Sequence, residues 1–508
     1  MVKSRRDILQ RITFPLIVAL TLLPVIYVVH KIWVGDIAFW YDPVRDMLSA
    51  WSNFNKPTLI GPPSGIPGVF YGPYWIWLLG IGMLFSKDPR IVTFIVLAIP
   101  YLVLFPLILY AFRAFGIRTI VMLFALFLLS FNNYADFLWN PHLAPLLLLS
   151  FIMLFLLMWQ EEGLRGKFFA VAAGFFLGLL VNFHISFGIG ATCGIGFYFL
   201  YLLINTLVKG RERMKAFLAW SIKICLFSIG YLVAFGPFLL FEIRHQFQQS
   251  RVLFTTLTQY GGTIALHGLT KTEIIFSFFG RAGQLLQLPT LIAALLLVAT
   301  GLYVIYLIRN KSMKLSAADK RLLGILASLA LGVLFVYLTA RNPVWSYHFI
   351  AVEVLFLLLV GVLMERVNVF RIFILLWTLV LLLQFAMSFP GHIATDPKKI
   401  PGDLASEEGI VRQIAADSGK GTYTVYAYSP SIYMYEYSYL FKWMEKKDFS
   451  YDPGKVQREG TVYLILPPHV KQALYDNFIH YRTPPHDYKT TGIWTMPDGS
   501  TIIKRENK

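Results

Sequence analysis

The chain is poor in charge, poorer in cysteine, and lacks the short signatures that mark many soluble enzymes. Only 14% of its 508 residues are charged, against roughly 25% in soluble domains. Hydrophobic residues make up 57%, and mean hydropathy is +0.61. This excludes an ordinary water-soluble protein, and equally a disordered chain, which needs low hydrophobicity. Two cysteines, Cys193 and Cys225, both inside apolar runs, leave no disulfide framework and no cysteine-based zinc site. Gly-Lys-Ser/Thr phosphate loops, His-x-x-His metal spacings and Ser/His/Asp nucleophile motifs are missing as well.

What charge there is has one sign in one place. The net charge is +17; residues 1–389 hold 30 basic and 14 acidic residues, and residues 390–508 hold 15 and 14. The chain therefore divides into a membrane part, 1–389, and a soluble part, 390–508. The basic excess sits in short loops between apolar runs, where it sets topology. No nucleic-acid motif accompanies it, so no nucleic-acid partner is expected.

A helix needs about 20 apolar residues to cross a bilayer. Eleven stretches qualify: 13–33, 92–112, 119–135, 142–159, 168–185, 187–207, 217–240, 289–308, 322–340, 347–364 and 372–389. The first follows Lys3, Arg5, Arg6 and Arg11 and has no small-x-small cleavage site after it, which reads as a retained signal anchor. The stretch 70–85 is shorter and carries Gly72-Pro73; its Tyr71, Tyr74, Trp75 and Trp77 suit an interface. With 70–85 not crossing, the inner loops hold 19 basic residues in 55 positions and the outer loops 9 in 119. Counting it as a span would destroy that bias. The expectation is a multi-pass protein of the cell (plasma or inner) membrane. Its amino end is cytoplasmic, its outer loops are 34–91 and 241–288, and its carboxyl part is extracytoplasmic.

On this topology the polar residues of the membrane part gather at one side. His30, His142, His184, His245, His267 and His348 all fall at outer span ends or in outer loops. So do Asp36, Asp42, Asp46, Asp136, Asn140, Glu242, Arg244 and Arg341, with Glu353 two turns into its span. Intramembrane polar residues are costly and usually functional. A transporter more often has them near the midplane; here they point to a site at the outer face.

Within the first outer loop, Asp42-Pro43 reads as an N-cap followed by the first helical position. That sets Asp42 and Asp46 one turn apart with Arg45 between them. A capped interfacial helix accounts for this, and so does a carboxylate held as a general base beside a guanidinium. Residues 61–73 contain four Gly and four Pro; a tight connection fits better than a backbone cradle for a ligand. Trp139-Asn140-Pro141-His142 opens a span, with Trp139 a candidate interface anchor. Asn182-Phe183-His184 sits at a turn, where a buried histidine and a ligand contact fit equally well. Arg244 follows Glu242 and precedes His245, and an arginine fork at a membrane face suits a phosphate. Arg341, near Tyr347 and His348, offers a second such contact.

The carboxyl part predicts strands at 422–428 and 461–466, helices at 431–447 and 470–478, and a hairpin around Pro497-Asp498-Gly499. Together these make a small α/β domain whose tyrosines form its core or bind carbohydrate.

These features resemble the GT-C membrane glycosyltransferases, in the lipid-carrier-dependent branch that includes protein O-mannosyltransferases and aminoarabinose transferases. The resemblance covers roughly 10–390. It rests on the basic start and first span, on Asp36 and the run Asp42-Pro-Val-Arg45-Asp46, on Ile60-Gly-Pro-Pro-Ser and Gly72-Pro73-Tyr74, on Leu138-Trp139-Asn140-Pro141, on His184, and on Phe241-Glu242-Ile-Arg244-His245. It implies a polytopic α-helical fold of about eleven spans and an inverting transfer from a polyprenyl-phosphate sugar, mannosyltransferase-like, to a lipid, glycan or protein hydroxyl. Membrane lipids would be its surroundings. Many relatives carry an Asp-Glu pair in the first loop, whereas Ile37 follows Asp36, so either Asp42 or Asp36 is the base. The resemblance implies donor phosphate and sugar contacts from Arg45, Asp46, Asn140, His142, His184, Glu242, Arg244, His245, Arg341 and His348. It establishes no cofactor, although a divalent metal could bridge carboxylate and phosphate. The competing reading is a transporter or flippase of a lipid-linked sugar, which needs no base.

Overall fold

A computed structural model describes residues 2–98, 115–131, 138–208, 211–259, 268–309, 315–340, 343–419, 421–429, 433–447, 460–468 and 470–508. Asp136, His267 and Arg341 lie outside them, as does most of the stretch 92–112.

The described residues hold seven helices long and apolar enough to cross a membrane, or nine if each of two bent pairs is one span. In chain order the helices of the membrane part are α1 (Val2–Val34), α2 (Tyr41–Ser52), α3 (Tyr74–Phe85), α4 (Pro89–Ala98), α5 (Ile117–Phe131), α6 (Ala144–Gln160), α7 (Gly163–Phe183), α8 (Ile185–Val208), α9 (Arg211–Ala234), α10 (Gly236–Arg244), α11 (Gln248–Gln259), α12 (Lys271–Leu286), α13 (Thr290–Arg309), α14 (Ala317–Thr339), α15 (Val352–Arg366) and α16 (Asn368–Ile393). The protein is a multi-pass membrane protein. α3 has 12 residues, about 18 Å at 1.5 Å per residue, too short to cross.

α6 and α15 are buried along nearly their whole length and form the centre of the bundle. α1 and α16 keep most of their apolar side chains exposed, as lipid-facing helices do. α9 and α10 meet at 56° beside Gly236-Pro237, and α12 and α13 at 91°. At the second bend Gln287 takes a left-handed conformation (φ 50°), and Pro289 two residues on cannot continue the helix. α16 runs through Pro390 to Ile393, four residues past the composition boundary.

Helices in lipid gain little from the hydrophobic effect and instead pack closely through small residues. α8 and α14 meet at Gly190, Gly194 and Gly332; a Cβ on Gly332 would lie 2.2 Å from the Gly194 nitrogen. That backbone cannot retreat, so Gly332→Val should cost more than the ~1–3 kcal/mol of ordinary overpacking and lower the thermal midpoint in detergent markedly. Gly196→Val on α8, whose Cβ would meet nothing within 4 Å, should leave it unchanged. Equal midpoints for the two variants would refute this packing.

The carboxyl part holds α17 (Leu404–Ser418), α18 (Tyr435–Met444), α19 (Gln472–Arg482) and a four-stranded sheet: β1 (Tyr423–Ala427), β2 (Thr461–Leu466), β3 (Tyr488–Thr495) and β4 (Thr501–Asn507). The strand order is β1-β2-β4-β3, with β1 and β2 parallel and the other pairs antiparallel. The strands and the Asp498-Gly499 turn fall where expected. The helix expected over 431–447 is described only over Tyr435–Met444.

This part is tied to the first loop. Phe39 N–H donates to Gly402 O (2.7 Å), Leu404 N–H to Ile37 O (3.0 Å) and Ala405 N–H to Gly35 O (3.1 Å). Arg90 pairs with the buried Glu408. Fully buried Tyr439 packs on Phe39 and Trp51 and donates its hydroxyl to Lys87 O. The surface of the carboxyl part is thereby fixed relative to α2.

Candidate functional site

α2 begins two residues earlier than expected. Its N-cap is Trp40, which makes no side-chain cap, and Asp42 lies inside the first turn. The expectation of Asp42 as N-cap is corrected; the acid still lies where the helix dipole favours a negative charge.

One turn of helix puts Asp42, Arg45 and Asp46 in contact. Arg45 Nη1 donates to Asp42 Oδ1 at 2.6 Å. Its Nε and Nη2 both donate to Asp46 Oδ1, at 2.9 and 2.8 Å. Trp75 Nε1 of α3 donates to the other Asp46 oxygen at 3.0 Å. Asp46 and Trp75 are each only 1% exposed, whereas the Asp42 side chain retains 28%. The three therefore differ in kind: Asp46 is enclosed, Arg45 bridges, and Asp42 is the carboxylate open to an incoming molecule. Burial pushes the Asp46 carboxyl up to about 6, against the pull of the Arg45 charge and the hydrogen bonds from Arg45 and Trp75.

Trp75 corrects a second expectation. It is not an interfacial anchor but the fully buried partner of Asp46, and a buried indole N–H requires such an acceptor. Trp77 likewise donates to Thr58 O. The Gly/Pro-rich segment is a tight hairpin: Gly61 N–H donates to Tyr71 O and Tyr71 N–H to Pro62 O. Gly72 presses on Asn182, where a Cβ would lie 1.6 Å from Oδ1. The connection reading of this segment holds. Burial raises the Tyr71 phenol, and the Tyr347, Asp42 and Asp46 charges add to the rise.

Behind this group stands a second tier. Trp75 packs edge-on to Phe183 (6.3 Å), whose carbonyl accepts from Asn140 Nδ2 (2.7 Å). Half-buried Trp139 contacts both His142 (5.8 Å) and Tyr347 (4.9 Å). The His184 ring lies 5.5 Å from His348 and 6.2 Å from Tyr347. Asn140, His142 and His184 are all buried. The expected residues Asp42, Arg45, Asp46, Asn140, His142, His184 and His348 thus belong to one connected region, with Tyr71, Trp75, Trp139 and Tyr347 between them.

Other expected residues have separate surroundings. Asp36 pairs with Lys31 at 3.5 Å. Glu242 is buried and accepts the Gln249 and Ser250 N–H groups, which caps the start of α11. Through Gln249, whose Oε1 accepts from Phe70 N–H, it also fastens the hairpin. His245 stacks on Phe241 at 4.0 Å. Arg244 at the end of α10 is exposed. Among the described residues no three His, Cys, Asp or Glu side chains converge to hold a metal ion.

The same end of the bundle contains a buried pair the sequence reading did not connect. Arg281 of α12 meets Glu353 of α15 at 3.3 Å and donates to Ser346 O at 2.5 Å, and Ser130 of α5 donates to Glu353.

No protein-family model and no curated protein matches the chain. Among solved structures it is similar to ArnT from Cupriavidus metallidurans bound to undecaprenyl phosphate, with TM-score 0.58 and 11% identity, covering 95% of this chain and 97% of that one. The same protein in the apo state gives 0.49 and 13% over the same shares. The chain shares the fold of ArnT, with a small sheet at the carboxyl end.

Proposed function

We propose that the chain is a glycosyltransferase that moves a sugar from a polyprenyl-phosphate donor to an acceptor hydroxyl at the extracytoplasmic face of the membrane. The observation that carries the reading is the half-open Asp42 carboxylate, held by Arg45 at the rim of a GT-C bundle. ArnT, of the same fold, was solved with undecaprenyl phosphate bound.

Asp42 accepts the proton of the acceptor hydroxyl. That oxygen attacks the anomeric carbon from the face opposite the phosphate, the carbon–oxygen bond to the phosphate breaks, and the carrier phosphate departs with the electron pair. One bond forms as one breaks, which inverts the carbon. Cations stabilise the departing charge, as in any preorganised anion site. Arg244, exposed at the end of α10, is suited to that phosphate, and His142, His184, Asn140 and His348 to the sugar. Asp36, already paired with Lys31, is the second choice of base. The donor sugar is read as a hexose, and the acceptor as a lipid, glycan or protein.

Purified protein given radiolabelled polyprenyl-phosphate hexose and membrane extract should move label to a new species. Label that stays on the carrier would end the proposal.

A pH profile reports on Asp46. Its carboxylate holds Arg45, and through it Asp42, so transfer should fall as pH drops through about 6. Trp75 donates to the charged form and so lowers this value. Trp75→Phe should therefore move the acid limb to higher pH by about one unit, worth about 1.4 kcal/mol. A limb left in place would remove Asp46 from this relay.

A further inference from the structure

The docking of the carboxyl part on α2 brings a row of aromatic rings together next to Asp42. The buried centre of that contact is Tyr439 with Phe39 and Trp51. At its rim, Tyr433 and Tyr435 stack in parallel, ring centres 5.4 Å apart and planes 8° apart. Tyr435 meets Tyr41 at 5.0 Å, and the Arg45 guanidinium lies 5.7 Å from the Tyr41 ring. Tyr433 is 41% exposed and Trp40, next to Tyr41, 43% exposed. The row runs from solvent on the carboxyl part to the residue preceding Asp42.

We infer that Tyr433, Tyr435, Tyr41 and Trp40 form the acceptor subsite, and that it takes a saccharide ring. This rests on the transferase reading above and names the substrate class it leaves open. A sugar presents a face of C–H groups and a rim of hydroxyls. A half-exposed tyrosine answers with an apolar ring face and a hydroxyl at its edge that both donates and accepts. A bare lipid would need a continuous apolar groove, and an extended peptide an unpaired strand edge; a row of phenols beside one carboxylate fits neither. On this reading the acceptor approaches Asp42 from the side of the carboxyl part. The carboxyl part thus supplies half of the acceptor site.

The test uses the full chain in nanodiscs with labelled polyprenyl-phosphate hexose. Octyl β-glucoside, below its micelle concentration, is the saccharide probe, and 1-octanol the control hydroxyl. Wild type should use the glucoside in strong preference to octanol. Tyr433→Ala should raise the KM for the glucoside by about tenfold or more with kcat within about twofold, the signature of lost binding shared by ground and transition states. Tyr433→Trp should restore it, because the ring face is what matters. Equal use of glucoside and octanol, an unchanged KM in Tyr433→Ala, or transfer confined to non-saccharide species of a membrane extract overturns the subsite while leaving the transferase intact. Absence of transfer to the probes and to the extract alike overturns the transferase reading, and the subsite with it.

Discussion

Asp42→Asn should leave the donor bound and lower transfer by about 10²–10⁴-fold, the usual contribution of a positioned general base. The amide is nearly isosteric with the carboxylate and its oxygen can still accept from Arg45, so the 2.6 Å contact has no reason to break. What it cannot do is take the acceptor's proton. Asp36→Asn should cost far less, because that side chain keeps 16% exposure against 28% for Asp42 and so is less open to an incoming hydroxyl. Measuring label transfer and donor affinity for both variants decides between the two acids. If Asp36→Asn gives the large loss and Asp42→Asn the small one, the roles are reversed. The comparison also addresses a flippase. Moving a carrier-linked sugar across the bilayer abstracts no proton, so Asp42→Asn would then spare translocation of labelled donor in liposomes, and no product would form with either protein.

The membrane part was largely legible because it obeys few rules. Spans follow from apolar length, and the shortness of α3 follows from the same count. The gathering of polar residues toward one end of the bundle was expected on similar grounds, because polar residues are tolerated only where water or partners reach them. The Asp42–Arg45 contact was readable as well, since i, i+3 residues on a helix are neighbours, whereas the Arg45–Asp46 contact, at i, i+1, was not. Partners far apart in sequence were not. Trp75 read as a belt tryptophan because its role depends on a contact with Asp46, 29 residues away. Glu242 read as a ligand contact because nothing in its neighbours announces that Gln249 and Ser250 would turn their N–H groups onto it. The stacking of Tyr433 and Tyr435 near Tyr41 depends on how the carboxyl part docks, and composition carries no docking angle. The N-cap was misplaced by a shift of local backbone that propensity does not resolve.

Arg281→Leu should cost about 3–5 kcal/mol of stability, while Arg281→Leu with Glu353→Leu should cost much less than the sum of the two single changes. A buried ion pair gains little over apolar packing, but removing one partner strands the other charge without water. Arg281 and Glu353 are 7% and 4% exposed and join α12 to α15, with Ser130 of α5 as third member. Ser346 O loses its Arg281 donor in the single and the double alike. That cost cancels between them, and the cycle isolates the charge pair. Thermal midpoints of the four proteins in one detergent provide the measurement; additive single effects would show that the pair is not coupled. The double variant then asks a second question. Ser346 opens the short turn that carries Tyr347 and His348. If Arg281 serves to fix that turn, the double variant should fold and keep the donor yet transfer slowly, because the wall facing Asp42 has lost its tether. A double variant with full transfer would confine the pair to holding helices together.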